Sequence, residues 1–129
     1  MALGRLEFLY TPSSDVAADA RHLVDMLGGT LEFAIDDGGT RVAMVSFGAP
    51  PAILLTDHLE GGRSIHVFSV DDLAATVREL GSRGWSRDRS VELPPGPAAT
   101  FRGPGGLRVA LYEPTRGFVV ESFKGRREF

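Results

Sequence analysis

Three histidines, two tyrosines, one tryptophan and no cysteine are the side chains from which this 129-residue chain must draw most of its chemistry. The absence of cysteine removes a thiol nucleophile, a zinc ribbon and a disulfide framework together. His66 lies inside an apolar strand-like stretch, where a core or edge histidine is a simpler reading than a general base. His58 follows Asp57 in a polar connection, which leaves open both an acid–base pair and ordinary loop polarity. His22 falls on the solvent side of a helix pattern. The Gly103-Pro104-Gly105-Gly106 turn lacks both the Lys-Ser/Thr pair and the following helix that a phosphate loop needs. No Gly-x-Ser-x-Gly elbow occurs. Asp36-Asp37 and Asp71-Asp72 fall at a turn and a helix start, where the backbone alone favours aspartate. No residue is assigned a catalytic role on these grounds.

The elements that must position such residues belong to one small globular domain. A hydrophobic fraction of 43% and a charged fraction of 24% suit a packed core. The net charge of −3, with no basic stripe, argues against a nucleic-acid partner. No apolar run approaches the roughly 18 residues of a membrane span, and Met1–Leu9 lacks a signal-peptide pattern, so a cytoplasmic location with no membrane partner is expected. Of the 14 basic residues only Lys124 is lysine. We take that bias as GC-rich coding rather than chemistry.

The chain repeats itself. Asp15-Val16-Ala17-Ala18-Asp19-Ala20-Arg21-His22-Leu23 returns 57 positions later as Asp72-Leu73-Ala74-Ala75-Thr76-Val77-Arg78-Glu79-Leu80, with five of nine residues identical. Each copy has apolar residues at helical spacing, follows a strand-like stretch (Leu6–Thr11 or Ser64–Val70) and ends in glycine. Three more strand-like stretches follow each helix. They are Thr30–Ile35, Arg41–Phe47 and Ala52–Thr56 in the first half, and Arg87–Leu93, Ala99–Arg102 and Leu107–Tyr112 in the second. Asp36–Gly39, Gly48–Pro51, Pro94–Pro97 and Gly103–Gly106 supply the turns. Residues 1–113 therefore read as a single domain of two β-α-β-β-β modules, 5–56 and 64–113, followed by an extension at 114–129. The extension is apolar at first (Phe118, Val120, Phe123) and basic later, so it is expected to pack on the domain or on a sister subunit.

This order, together with Ser64-Ile65-His66-Val67-Phe68-Ser69-Val70-Asp71-Asp72-Leu73 and the Thr100-Phe101-Arg102-Gly103-Pro104-Gly105-Gly106 turn, resembles the vicinal oxygen chelate superfamily. That group includes glyoxalase I, extradiol dioxygenases, fosfomycin-resistance enzymes and bleomycin-resistance binding proteins. Gly103 stands where the family's turn usually has aspartate. The resemblance implies an α+β fold in which the two modules form a curved mixed sheet around a cleft, with the helices on its outer face. It also implies a homodimer. Metal-using members place one ligand on the first and one on the last strand of each half, and those positions here are Phe8, Leu54, Ile65 and Ala110. None offers a side-chain lone pair, so no metal and no cofactor are expected. A shift of one residue brings up Glu7 or His66, but a slip reverses the face of a strand.

Alternation from those positions selects Leu6, Phe8 and Tyr10, then Ala52, Leu54 and Thr56 in the first half. In the second it selects Ile65, Val67 and Ser69, then Arg108, Ala110 and Tyr112. This face suits an apolar or flat small-molecule ligand, although an ordinary core would look similar. Trp85, Phe47 and Phe101 are added as stacking walls, each with a core role as the alternative. The expected ligand-binding set is thus Phe8, Tyr10, Phe47, Leu54, Thr56, Ile65, Val67, Trp85, Phe101, Ala110 and Tyr112. The resemblance favours a metal-free, drug-sequestering binding protein. A glyoxalase-, dioxygenase- or epimerase-like enzyme with unusual ligands is the alternative. A scaffold whose cleft is filled by its own side chains is a third.

Overall fold

The computed structural model describes residues 3–59, 62–85, 87–93, 96–115 and 123–129. Among them β1 (Arg5–Pro12), α1 (Val16–Leu27), β2 (Thr30–Asp37), β3 (Thr40–Phe47) and β4 (Ala49–Thr56) come first. β5 (Ile65–Ser69), α2 (Leu73–Ser82), β6 (Arg89–Leu93), β7 (Gly96–Arg102) and β8 (Arg108–Tyr112) follow. This is the α+β, twice-repeated β-α-β-β-β order expected from the sequence. The hydrogen-bonded strand order is β2-β3-β4-β1-β5-β8-β7-β6. β1/β4 and β5/β8 are parallel, whereas β2/β3, β3/β4, β6/β7 and β7/β8 are antiparallel, so the sheet is mixed. No helix among the described residues is long and apolar enough to cross a membrane.

The chain forms two compact units that cut β1 between Glu7 and Phe8. The first unit is Phe8–Ser64 with Val120–Phe129, and the second is Met1–Glu7 with Ile65–Val119. In the first unit, α1 begins where the Asp15 carboxylate accepts the Ala18 N–H at 3.0 Å. It stops at Gly28, whose φ of 73° admits the left-handed turn that lets Gly28 and Gly29 donate to the Val24 and Leu23 carbonyls. Val16 and Ala20 face one side of the sheet, where they meet Ala34, Ala43, Val45 and Leu55. The run of alanines lets helix and sheet approach closely.

The second unit repeats the plan. Asp72 accepts the Ala75 N–H at 3.0 Å, and α2 lays Leu73, Val77 and Leu80 against Phe101, Val109 and Leu111. A second carboxylate helps here, because Glu113 accepts the Leu73 N–H at 2.8 Å and ties the helix start to the end of β8.

Two strands begin earlier than the sequence suggested. β4 already includes Ala49, Pro50 and Pro51, because only Gly48 is needed to turn from Phe47 to its partner Ala49. The prolines lack an N–H, but they fall where the β3/β4 register shifts, between Val45 and Phe47. β7 starts at Gly96, which pairs with Leu93 across a short hairpin; positions 94 and 95 lie outside the described residues.

Candidate functional site

Register decides which side chains share a face. In the first unit Phe33 pairs with Met44, Met44 with Leu54, and Leu54 with Tyr10, so one row crosses β2, β3, β4 and β1. The next row is Ile35, Val42, Thr56 and Pro12. These rows lie on the face opposite α1. Phe33, Ile35, Met44 and Ala52 form its buried floor, with Phe8, Val42 and Leu54 half-exposed. The result is an apolar strip that ends in hydroxyls.

At the β1 end of the strip, three polar side chains close on one another. The Tyr10 hydroxyl is 3.0 Å from His58 Nε2, and His58 Nδ1 is 2.6 Å from Thr56 Oγ1. The His58 backbone N–H also reaches Thr56 Oγ1, at 3.4 Å. Burial pushes the Tyr10 phenol up from its ordinary value; a hydrogen bond with Thr56 opposes this, and the Asp57 charge reinforces it. Two tautomers satisfy both contacts. In one, Tyr10 donates to Nε2 and the Nδ1–H donates to Thr56, which leaves the Nε2 lone pair facing Tyr10; in the other, Nε2–H donates to Tyr10 and Thr56 donates to Nδ1. The Asp57–His58 pair considered from sequence does not form: Asp57 Oδ1 accepts the Arg41 N–H at 3.1 Å, while the His58 ring turns to Tyr10 and Thr56.

The second unit holds a different polar group. Glu7 Oε1 accepts the Ser69 hydroxyl at 3.0 Å, and Arg5 Nε stands 3.7 Å from the same oxygen. Ser69 pairs with Tyr112 and Val67 with Ala110, so these four share a face, and Ser69 and Tyr112 are both buried. Burial pushes the Tyr112 phenol up to about 12, helped by the Glu7 charge and opposed by Arg5. A phenol that holds its proton more tightly folded than unfolded stabilises the fold below its unfolded value of roughly 10. That contribution fades as pH rises from there to about 12. A spectrophotometric titration of phenolate is expected to show one tyrosine ionising near pH 12, and Tyr112→Phe should remove that step.

The expected ligand-binding residues divide accordingly. Phe8, Tyr10, Leu54 and Thr56 share the first unit's strip and its polar end. Ile65, Val67, Ala110 and Tyr112 lie on β5 and β8 of the second unit. Three others are elsewhere. Phe101 and Trp85 pack on the α2 side, with rings 5.3 Å apart and the indole N–H donating to the Arg102 carbonyl at 2.8 Å. The parity error is visible in the register: Thr100, not Phe101, pairs with Ala110. Phe47 lies beside Gly29 at the end of α1, in phase along β3 with Ala43 and Val45, which face the helix. Sequence reasoning missed His58 as a partner of Tyr10, although the Thr-x-His spacing after a strand is the local signal for it. It also set Glu7 aside as a one-residue slip.

A groove of about 490 Å³ in the second unit runs past Leu73, Val77, Arg87, Ser90, Pro97 and Glu113. Glu113 is already committed to capping α2 there. The divalent ion of the family does not fit this chain. Phe8, Leu54, Ile65 and Ala110 offer carbon alone, and no group of three or more His, Cys, Asp or Glu among the described residues is placed to hold a metal.

The chain has the vicinal oxygen chelate fold. Methylmalonyl-CoA epimerase from Mycobacterium tuberculosis superposes with a TM-score of 0.71 at 22% identity, over 90% of this chain and 92% of that one. A hypothetical protein of Bacillus halodurans gives 0.75 at 14% identity, over 91% and 99%. The Streptomyces coelicolor methylmalonyl-CoA epimerase in complex with 2-nitronate-propionyl-CoA gives 0.68 at 15%, over 89% and 100%. At these identities the likeness is one of fold. No protein-family pattern and no curated protein sequence matches the chain.

Proposed function

We propose that the chain is an epimerase-like enzyme that moves a proton at a carbon beside a carbonyl, with Tyr10 and His58 as its reacting pair. The observation that carries this reading is the closed set of Tyr10, His58 and Thr56 at the end of an apolar strip. With the His58 proton on Nδ1, a substrate carbonyl arriving at Tyr10 takes over the phenol's hydrogen bond and frees the His58 Nε2 lone pair. His58 then accepts the proton from the adjacent carbon. The C–H electron pair becomes the enolate double bond, and the enolate oxygen is held by the Tyr10 O–H. Return of the proton from His58 to the same face reverses the step, and the centre is inverted when the planar enolate turns its other face to the protonated His58 before the proton returns. Thr56 positions His58 and accepts from its Nδ1–H. No step passes through a divalent ion. The epimerase neighbours support this direction, and nothing in them supports drug sequestration. Self-association as a homodimer remains part of the proposal through the family resemblance alone.

The test is exchange in deuterium oxide. Protein incubated with a panel of 2-methyl-branched acyl thioesters is expected to catalyse loss of the α-proton signal in the proton NMR spectrum, at a rate that chelator leaves unchanged. His58→Ala should slow it by about a hundredfold or more. A thioester that binds without exchanging would replace this reading by simple capture, and exchange undiminished in His58→Ala would remove the assigned base.

A further inference from the structure

The segment Phe123–Phe129 adds itself in parallel to the open edge of β2. Ala34 N–H donates to the Arg126 carbonyl at 2.8 Å, Glu128 N–H to the Ala34 carbonyl at 2.7 Å, and Gly125 N–H to the Glu32 carbonyl at 2.8 Å. The Glu128 carboxylate accepts the Asp36 N–H at 2.9 Å and pairs with Arg126. These contacts place one ring on each side of the sheet. Phe129 packs with the α1 side, under the Arg41 guanidinium at 4.8 Å. Phe123 stands on the opposite side, on the strip described above, edge-on to Phe33 with centroids 5.6 Å apart.

Backbone pairing and Phe129 are enough to cover the edge of β2. Phe123 does something else. It occupies the far end of the row whose near end is Tyr10. From Phe33 to Tyr10 the row crosses three gaps between strands, so it is about 14 Å long at the usual strand spacing. Between them, Leu54 and its neighbours Phe8 and Val42 stay half-exposed, whereas Phe33 is 4% exposed. The strip is thus open at its polar end and stopped at its apolar end.

We infer that Phe123 is a specificity-determining residue: the stop that sets how long a hydrocarbon group the Tyr10–His58 site admits. The inference rests on the proposed function for what sits at the polar end. It assigns the ligand an unbranched or aryl-capped apolar arm that lies across β4 and β3 and ends against the Phe33–Phe123 pair. Exchanging the ring for a smaller side chain lengthens the strip without touching Tyr10, His58 or Thr56.

The probe is a series of n-alkylbenzenes, from toluene to hexylbenzene, which need no acid–base chemistry. Binding is followed by chemical-shift changes of the Leu54 and Met44 methyl groups. The native protein is expected to bind the shorter members and reject those beyond a cut-off. Phe123→Ala should move the cut-off out by two to three carbons and tighten the first rejected member at least tenfold, with the shortest member within twofold. Protection of the Ala34 and Glu128 amides from exchange checks that the segment stays docked. If Phe123→Ala undocks it, Phe123→Leu is read instead, with a shift of about one carbon expected. An unchanged cut-off with the segment docked overturns the inference, as does an equal shift in Phe129→Ala, which would make docking rather than the ring the determinant. Failure of every alkylbenzene to bind also overturns it. The deuterium-exchange result is decided separately, by His58.

Discussion

Gly96→Ala is expected to lower the melting temperature by about 10–20 °C, from a loss of roughly 3–5 kcal/mol. Gly96 opens β7 with a φ of 155°, and a methyl group built there would overlap the Glu113 carbonyl oxygen and meet the Thr115 hydroxyl at 3.1 Å. Neither obstacle yields easily. The Glu113 backbone donates to the Pro97 carbonyl at 3.0 Å, and its carboxylate caps α2. Moving Glu113 aside therefore loosens the β7–β8 ladder and the helix start together. Gly81→Ala is the matched control. Gly81 lies within α2 with nothing inside 4 Å of an added Cβ, so alanine there should raise stability by about 0.5–1 kcal/mol. Thermal denaturation followed by circular dichroism separates the two. A Gly96→Ala protein melting within a few degrees of the native one would show that the β7–β8 junction is not rigid.

Phe101→Ala should cost about 3–5 kcal/mol in chemical denaturation. The ring is 1% exposed, pairs across the sheet with Val109, and is flanked by the Trp85 indole. Its removal leaves a cavity walled by the sheet on one side and α2 on the other, neither of which can collapse far. Trp85 loses its stacking partner, so its emission should change as well. Phe47 supplies the contrast: it is 40% exposed, and its truncation should cost about 1 kcal/mol or less. Near-equal losses at the two positions would mean that Phe101 does not centre the second unit's core.

The fold was legible because its signals are local. Repeated Asp caps, helical spacing and glycine stops each need only a few neighbouring residues, and the structure places both helices where they indicate. Strand ends were less legible wherever proline intervened. Pro50, Pro51 and Pro97 read as turn residues, yet each fits at a strand end or register shift where the ladder does not call on its missing N–H. Side-chain parity was the weakest inference. A single shift between Leu31 and Phe33 sends Leu31 to the helix side and Phe33 to the strip, although they are two residues apart, and no periodicity in the sequence records it. The polar end of the candidate site was half visible. Tyr10 and Thr56 follow from alternation, but the aim of the His58 ring depends on a loop conformation that only the packed strands settle. The contact of Phe123 with Phe33 joins residues far apart in the sequence, and composition cannot announce it.

The edge pairing of the Phe123–Phe129 segment also bears on how the chain is made. Asp36 and Glu128 are joined across 92 residues. At about 5–20 residues per second, β2 leaves the ribosome roughly 5–20 seconds before the segment that covers it. During that interval the β2 edge presents open N–H and carbonyl groups beside Phe33 and Ile35, the kind of template on which another nascent chain can pair. The Asp36 and Asp37 carboxylates at the end of β2 put charge beside that edge, a feature that disfavours such pairing until the Phe123–Phe129 segment arrives.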